Sequence, residues 1–390
     1  MTSEINGMHL QDQNHNTLLS GATRLDCQVA GHSAKKGRAL DFMRHKDGYV
    51  LKPICNDKVQ GRREIQFYEE LEKDCDPISR ELKKFTPKYF GTTEIKVNNT
   101  GIKWLILKNA AHGFREPCIM DIKVGSRTWD PLASEEKRLS EEAKYRDCKR
   151  DLGFCIPGFQ MYKLPTGELV RKDREFGKSL NGTTARNAIR TFLNGEFGLS
   201  RTLLLQFLGK LWRILRWFRT QKNFRFYSSS LLLVYDAATL KQIARVRGLG
   251  SKAPMVTIGQ QISLRVATGP LTPGFREGTR RRTPGPGTLA EGPSVPGDRQ
   301  TTTDNVWKTH SLVSNCDSNA TVQSMKDNYK VVFNDFMNTT EDIYEVWVNV
   351  NMIDFAHVFH SPTEDVDLNY LNGLQTLVNI FEEFLLEVNF

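Results

Sequence analysis

The chain has 390 residues, 39% of them hydrophobic, and a formal net charge of +9; that is room for two compact lobes plus a long loop or tail. No apolar run approaches the roughly 18–20 residues of a transmembrane helix, and the opening residues, Met1 to Gly7, have neither the basic nor the apolar region of a signal peptide. Seven scattered cysteines without a CxxC pair exclude a zinc ribbon or a disulfide framework and point to free thiols in a reducing compartment.

The positive charge is local. Residues 245–300 hold nine Lys or Arg against three acids, which is +6 of the +9 and leaves about +3 elsewhere. A nucleic-acid-binding body is therefore not expected, except through that segment, and a strongly anionic ligand must be met by a local cluster.

In chain order, residues 1–26 are polar and aperiodic, and a disordered leader is expected there. Gln28–His32 and Arg38–Met43 read as strands, His45–Gly48 as a turn and Tyr49–Lys52 as a further strand. Glu64–Leu71 reads as a helix with Phe67, Tyr68 and Leu71 on one side. Lys88–Thr93 and Lys103–Leu107 are strands, which completes an α+β lobe over 27–111.

A second lobe, 112–390, opens on the strand Pro117–Gly125. Ser134–Lys149 reads as one charged helix capped by Ser134, with Glu135 and Glu136 in its first turn. A hairpin joins Gly158–Lys163 to Leu169–Arg171 around Pro165-Thr166-Gly167, and Thr183–Leu193 and Thr202–Gln221 are helices. The stripe Leu204, Leu208, Leu211, Leu215, Phe218 marks the latter as a core helix. Leu231–Tyr235 is a buried strand. About 245–305 comes next, with ten glycines and seven prolines by residue 300, a composition that cannot bury a core and reads as a disordered insertion. Tyr344–Met352 resumes as a strand and Tyr370–Val388 closes as an amphipathic helix.

Five places could carry chemistry. Asp121 and Lys123, two apart on a strand, project from one face; they could hold a hydroxyl beside a phosphate or form an exposed salt bridge. Lys52 ends a strand twelve residues before Glu64 on a helix, the pairing by which kinase-like folds hold an ammonium on nucleotide phosphates. Trp104 to His112 joins the lobes, an apolar strand running into a linker that either offers backbone groups to an adenine edge or is a plain connector. Asp354 follows an apolar strand, where a carboxylate could hold Mg²⁺ with nucleotide phosphates. His357 beside it suits a substrate contact or a structural role, and Lys137 and Lys144, seven apart on the charged helix, either grip a polyphosphate or sit in a self-paired solvated face. A GxxxxGK[ST] loop, an HRDxxxxN loop, a GxSxG elbow and an HExxH site are all missing, which argues against P-loop enzymes, standard protein kinases, serine hydrolases and zincins.

Taken in order, the motifs resemble the inositol polyphosphate kinase family. PxxxDxKxG is met by Pro117, Asp121, Lys123 and Gly125, the SSLL run by Ser229-Ser230-Leu231-Leu232 and the IDF motif by Ile353-Asp354-Phe355. The likeness covers about 28–236 and 344–388. Asp130-Pro131-Leu132-Ala133 after the signature strand and Asp354-Phe355-Ala356-His357 suit the multikinase branch, with the hexakisphosphate kinases as the alternative. A non-catalytic nuclear scaffold acting through Arg280-Arg281-Arg282 is the rival of another class.

The resemblance implies a bilobal kinase-like α+β fold: a small N-lobe antiparallel sheet with one helix, a larger C-lobe sheet flanked by helices, and ATP in the cleft. It implies an ATP- and Mg²⁺-dependent kinase that takes inositol trisphosphate through tetrakisphosphate to pentakisphosphate, with phosphatidylinositol bisphosphate as a further candidate substrate. By it, Lys52 contacts ATP phosphates and pairs with Glu64, and Lys108 to Ala110 form the adenine hinge. Asp121 binds the ribose, Lys123 the transferred phosphate and the inositide, and Ser230 and Asp354 the metal. Lys137, Lys144 and His357 grip the substrate. A monomer, nuclear and cytoplasmic, is expected.

Overall fold

The structure, a computed structural model, describes residues 21–25, 41–54, 59–97, 100–250 and 346–388. The described residues up to Gly248, together with 346–388, belong to one compact unit. Its first sheet is antiparallel and takes the order β1 (Ala22–Arg24), β2 (Met43–His45), β3 (Tyr49–Ile54), β5 (Thr100–Lys108), β4 (Tyr89–Val97). Leu51, Ile95, Trp104 and Ile106 pack together as the core of its inner face. Helix α1 (Val59–Lys73) turns Ile65, Phe67, Tyr68 and Leu71 inward, and Glu64 with them.

Two features of this lobe depart from the sequence expectation. β1 lies inside the stretch expected as a leader; three residues are too few for a periodic signal, and pairing with β2 supplies the order. A short α2 (Pro77–Lys83) follows α1, with a proline in its first turn and Asp76 accepting from the Ile78 and Ser79 N–H groups. The strand expected at Gln28–His32 lies outside the described residues, and β2 begins only at Met43.

The second sheet takes the order β11 (Val348–Ile353), β10 (Ser230–Asp236), β6 (Pro117–Val124), β7 (Phe154–Tyr162), β8 (Leu169–Lys172), all antiparallel. β6 is its central strand, which explains a run buried from Cys118 through Ile122 with no polar alternation. A two-stranded ribbon pairs β9 (Phe224–Phe226) with β12 (Val358–His360).

The charged segment after β6 is two helices, not one. α3 (Glu135–Ala143) starts at the Ser134 cap and buries nothing, whereas α4 (Arg146–Leu152) buries Cys148 and Lys149. Between them Lys144 is extended and Tyr145 is left-handed at φ 55°. One straight helix could not expose the first half and bury Tyr145 and Cys148, so packing breaks it where the polar periodicity runs on. α5 (Arg174–Lys178), α6 (Gly182–Phe192) and α7 (Arg201–Thr220) follow. α8 (Ala237–Gly250) extends past residue 245, where the insertion was expected to begin, and residues 251–305 lie outside the described residues.

The closing helix α9 (Leu368–Glu387) packs on α7, with Phe207 edge-on to Phe381 and Phe218 stacked on Tyr370 at 4.2 Å. The apolar stripe on α7 is core, as its spacing predicts. α9 also approaches the backbone after α4: a Cβ on Gly373 would lie 2.1 Å from the Gly153 carbonyl oxygen. The two lobes touch through Trp217 Nε1, which donates to the Ile78 carbonyl at 2.9 Å, and through Phe355, stacked on Phe67 at 4.3 Å.

Candidate active site

The site begins with the way β6 is built. Pro117 stands first in the strand, where a missing N–H costs least. Gly125 ends it at φ 105°, a conformation that favours glycine, and a Cβ there would meet Asn369 Nδ2 at 2.5 Å. Between them Asp121 and Lys123 share a face. On one side β10 sets Ser230 opposite Lys123 and Leu232 opposite Asp121. On the other, Asp121 faces Gly158 and Lys123 faces Cys155, so β7 carries one extra residue in a bulge beside the acid. Pro157, which has no N–H for a ladder, falls in that bulge.

The sheet register then assembles motifs far apart in sequence. Ser230 lies between Lys123 on β6 and Ile353 on β11, so the chain enters Asp354 directly beside it. Asp354 is left-handed at φ 64°, and its carbonyl accepts from Ser229 Oγ at 2.9 Å. Lys52 crosses from the first sheet: its Nζ donates to Glu64 Oε1 at 2.7 Å and to Asp354 Oδ1 at 2.6 Å. The Lys52–Glu64 pair is the one anticipated; the bond to Asp354 ties the two lobes and was not.

Charge is concentrated here. Burial opposes the Lys52 ammonium, but Asp354 and then Glu64 outweigh it and hold its pKa above the ordinary lysine range. Burial likewise opposes the Asp354 carboxylate, and Lys52 followed by Lys123 pull its pKa below the usual value. Asp354 still opens on solvent, with its side chain 39% exposed in the cleft. Asp121 is the contrary case. Only 5% exposed, it is pushed by burial to about 6 in spite of Lys123.

Asp121 Oδ1 and Ser230 Oγ are fully buried and complete no hydrogen bond with the protein. Ser230 Oγ and the Asp354 carboxylate beside it are a pair of hard oxygen donors suited to a divalent cation shared with phosphate, and Asp121 Oδ1 is left to accept from a hydroxyl. The residues therefore fit a nucleotide-bound Mg²⁺ held by Asp354 and Ser230.

At the hinge, the structure narrows the expectation. The Lys108 N–H donates to the Lys88 carbonyl and the Asn109 N–H to the Gly48 carbonyl, so neither is available to an adenine. Asn109 Oδ1 accepts from the Ala111 N–H in a local turn, and the Ala110 carbonyl accepts from Asn349 Nδ2. Of the three hinge donors this leaves the Ala110 N–H, with no partner recorded among the described residues. Hydrogen-bond commitment is a tertiary property, which strand patterning does not carry.

The substrate side departs further from the sequence reading. Lys137 and Lys144 do not share one helix, yet both Nζ atoms reach a single oxygen, Glu141 Oε1, at 2.7 and 2.9 Å. Lys123 Nζ donates to the Ser228 carbonyl, Ser228 Oγ to the Thr128 carbonyl at 2.9 Å, and Thr128 Oγ1 to Glu141 Oε2 at 3.4 Å. The lysine pair is thus joined to the Asp121/Lys123 face by one continuous chain of bonds. His357 Nδ1 lies 2.6 Å from Asp130 Oδ2, an acid only 6% exposed that also lies 3.6 Å from Arg63 of α1.

Asp130 entered the sequence reading only as a mark of the multikinase branch, and no individual contact was assigned to Arg63 or Glu141. Asp130-Pro131 directly after the signature strand was a usable signal, since a loop acid with a proline behind it is held to a turn. For Glu141 the signal was its place after Lys137, where Leu139, Ser140 and Glu141 occupy positions that are glutamine-rich in some multikinases.

The chain is similar to known proteins along most of its length. The family model for inositol polyphosphate kinase matches residues 104–382. The inositol polyphosphate multikinase of Mus musculus is 30% identical over 397 residues, covering 94% of this chain and 93% of its own. Inositol hexakisphosphate kinase 1 of Rattus norvegicus is 33% identical over 155 residues, 40% of this chain and 36% of its own. A crystal structure of an inositol phosphate multikinase from S. cerevisiae with ADP and Mn²⁺ aligns at a TM-score of 0.49 and 20% identity, covering 86% of this chain and 99% of that one. With the motif residues gathered on one face of a shared sheet and the match running across both lobes, the chain belongs to the inositol polyphosphate kinase family.

Proposed function

We propose that this chain is a multikinase: an ATP- and Mg²⁺-dependent enzyme that phosphorylates inositol trisphosphate and tetrakisphosphate hydroxyls towards inositol pentakisphosphate. The observation that carries the reading is Lys52 clamped between Glu64 and Asp354, with Asp121 and Lys123 on the facing strand. A fixed ammonium, a metal carboxylate and a second lysine supply the positioning and charge neutralisation that phosphoryl transfer needs. The multikinase relatives match along nearly the whole chain, whereas the hexakisphosphate kinase match is confined to part of it, which favours the first branch.

In this reading ATP supplies the γ-phosphoryl group, and Mg²⁺ neutralises its charge. Lys52 meets the nucleotide phosphates, Asp121 the ribose, and the Ala110 N–H the adenine edge. Lys123 stands where the transferred phosphate and the inositide meet, while Lys137, Lys144 and His357 grip substrate phosphates and hydroxyls. Asp130 holds the His357 ring from below and so positions it. We assign the protein to nucleus and cytoplasm, as a monomer; the Arg280-Arg281-Arg282 run supports the nuclear part. Phosphatidylinositol bisphosphate offers the same headgroup chemistry and is included as a substrate.

The test is to incubate purified protein with ATP, Mg²⁺ and a panel of inositol phosphates and to separate products by charge. Conversion of trisphosphate to pentakisphosphate is expected. Action confined to hexakisphosphate, giving a pyrophosphate, would move the chain to the sister branch, and no turnover of any inositide would overturn the reading.

A further inference from the structure

The lysine pair on the substrate side carries its own anion. Glu141 Oε1 accepts from both Lys137 Nζ and Lys144 Nζ, at 2.7 and 2.9 Å. An ordinary surface pair on a helix involves two exposed side chains and contributes little. This one differs in three respects. The Glu141 side chain is only 13% exposed, while the lysines are 52% and 43% exposed. Lys144 lies beyond the end of α3 in extended conformation, so its return to the same oxygen is not a helical i,i+3 contact by default. Beneath them Lys149, 4% exposed, donates to the Glu141 carbonyl, and Thr128 Oγ1 approaches the other carboxylate oxygen at 3.4 Å. Lys149 therefore fixes the Glu141 backbone, Thr128 meets one carboxylate oxygen, and the other oxygen lies between two cations.

We propose that Glu141 is a specificity-determining residue of the inositide site, an internal anion that a substrate phosphate must displace from Lys137 and Lys144. This rests on the reading of those two lysines as the substrate grip. Each ammonium already spends a charge-assisted hydrogen bond on the carboxylate, so an incoming anion gains only the difference. A dianionic phosphomonoester outcompetes a single carboxylate, whereas a singly charged anion gains nothing by the exchange. Burial raises the Glu141 pKa, but the bonds from Lys137 and Lys144 overcome it and hold it at about 2, so the internal anion is present at every working pH.

The experiment measures binding of inositol trisphosphate by calorimetry without nucleotide, and KM for the inositide and for ATP. Glu141→Gln is expected to tighten inositol trisphosphate by about tenfold, on the scale of one charge-assisted bond, to lower the inositide KM in parallel, and to steepen the salt dependence of binding. KM for ATP should not move. In a Lys137→Met/Lys144→Met background the same substitution should change nothing. Unchanged or weaker binding by Glu141→Gln, with the lysine double variant itself weakened, overturns the Glu141 proposal and leaves the lysine grip standing. A lysine double variant that binds inositol trisphosphate like the parent overturns the grip, and the proposal falls with it. Circular dichroism of each variant checks that the fold is intact.

Discussion

Asp121→Asn removes a charge that the folded chain holds at a cost, and it should make the protein more stable while disabling it. The carboxyl titrates at about 6 in the fold against an ordinary 3.8, because burial outweighs the attraction of Lys123. At about 1.4 kcal/mol per tenfold change in proton affinity, this difference amounts to about 3 kcal/mol. The sign follows from proton binding. Between pH 3.8 and about 6 the folded state binds the proton and the unfolded state does not, so this group's contribution to stability falls as pH rises. The cost is complete above about pH 6 and absent below 3.8. Asparagine is neutral throughout and nearly the same shape. Thermal unfolding followed by circular dichroism without ligand should show Asp121→Asn melting higher at pH 7.5, by about 6 °C or more at 2–4 °C per kcal/mol. The gap should close as pH approaches 4, while turnover should fall because the proposed ribose contact loses its charged acceptor. A melting temperature at pH 7.5 equal to or below that of the parent, or a gap independent of pH, refutes the reasoning.

Asp354→Asn keeps a side chain that tolerates φ 64° and removes only the charge; turnover should fall below a tenth of the parent with the far-ultraviolet spectrum unchanged, and a higher residual rate would detach Asp354 from the metal. Gly373→Ala would press a Cβ to 2.1 Å from the Gly153 carbonyl, backbone that cannot step aside; a loss of about 1–3 kcal/mol in urea unfolding is expected, and a neutral result would mean that α9 sits further from α4 than described. Deleting residues 251–300, which carry Arg280-Arg281-Arg282, should leave inositide phosphorylation intact and abolish nuclear accumulation of a fluorescent fusion. Collapse of activity would make that segment part of the enzyme.

The amino-acid sequence by itself determined the elements whose cause is local. Strand Pro117–Val124, the Ser134 cap, core helix Arg201–Thr220 and closing helix Leu368–Glu387 all follow from apolar spacing, a capping hydroxyl or a terminating glycine. It also placed Asp121 and Lys123 on one face, since a strand's period of two needs no partner to be read. Tertiary structure decided the rest. β1 and β12 are three-residue strands that exist only because a neighbour pairs with them. The break at Tyr145 is made by burial of Tyr145 and Cys148, invisible in a charge pattern that continues across it. The site itself depends on sheet register, which brings Ser230 between Lys123 and Ile353 and turns Asp354 onto a lysine 302 positions away. The same holds for the contacts of Glu141, on which two lysines on either side of a helix end converge at one oxygen. Spacing within an element is a property of the chain; which hydrogen bonds are already committed, and which charge is buried against which, is settled only when distant segments pack.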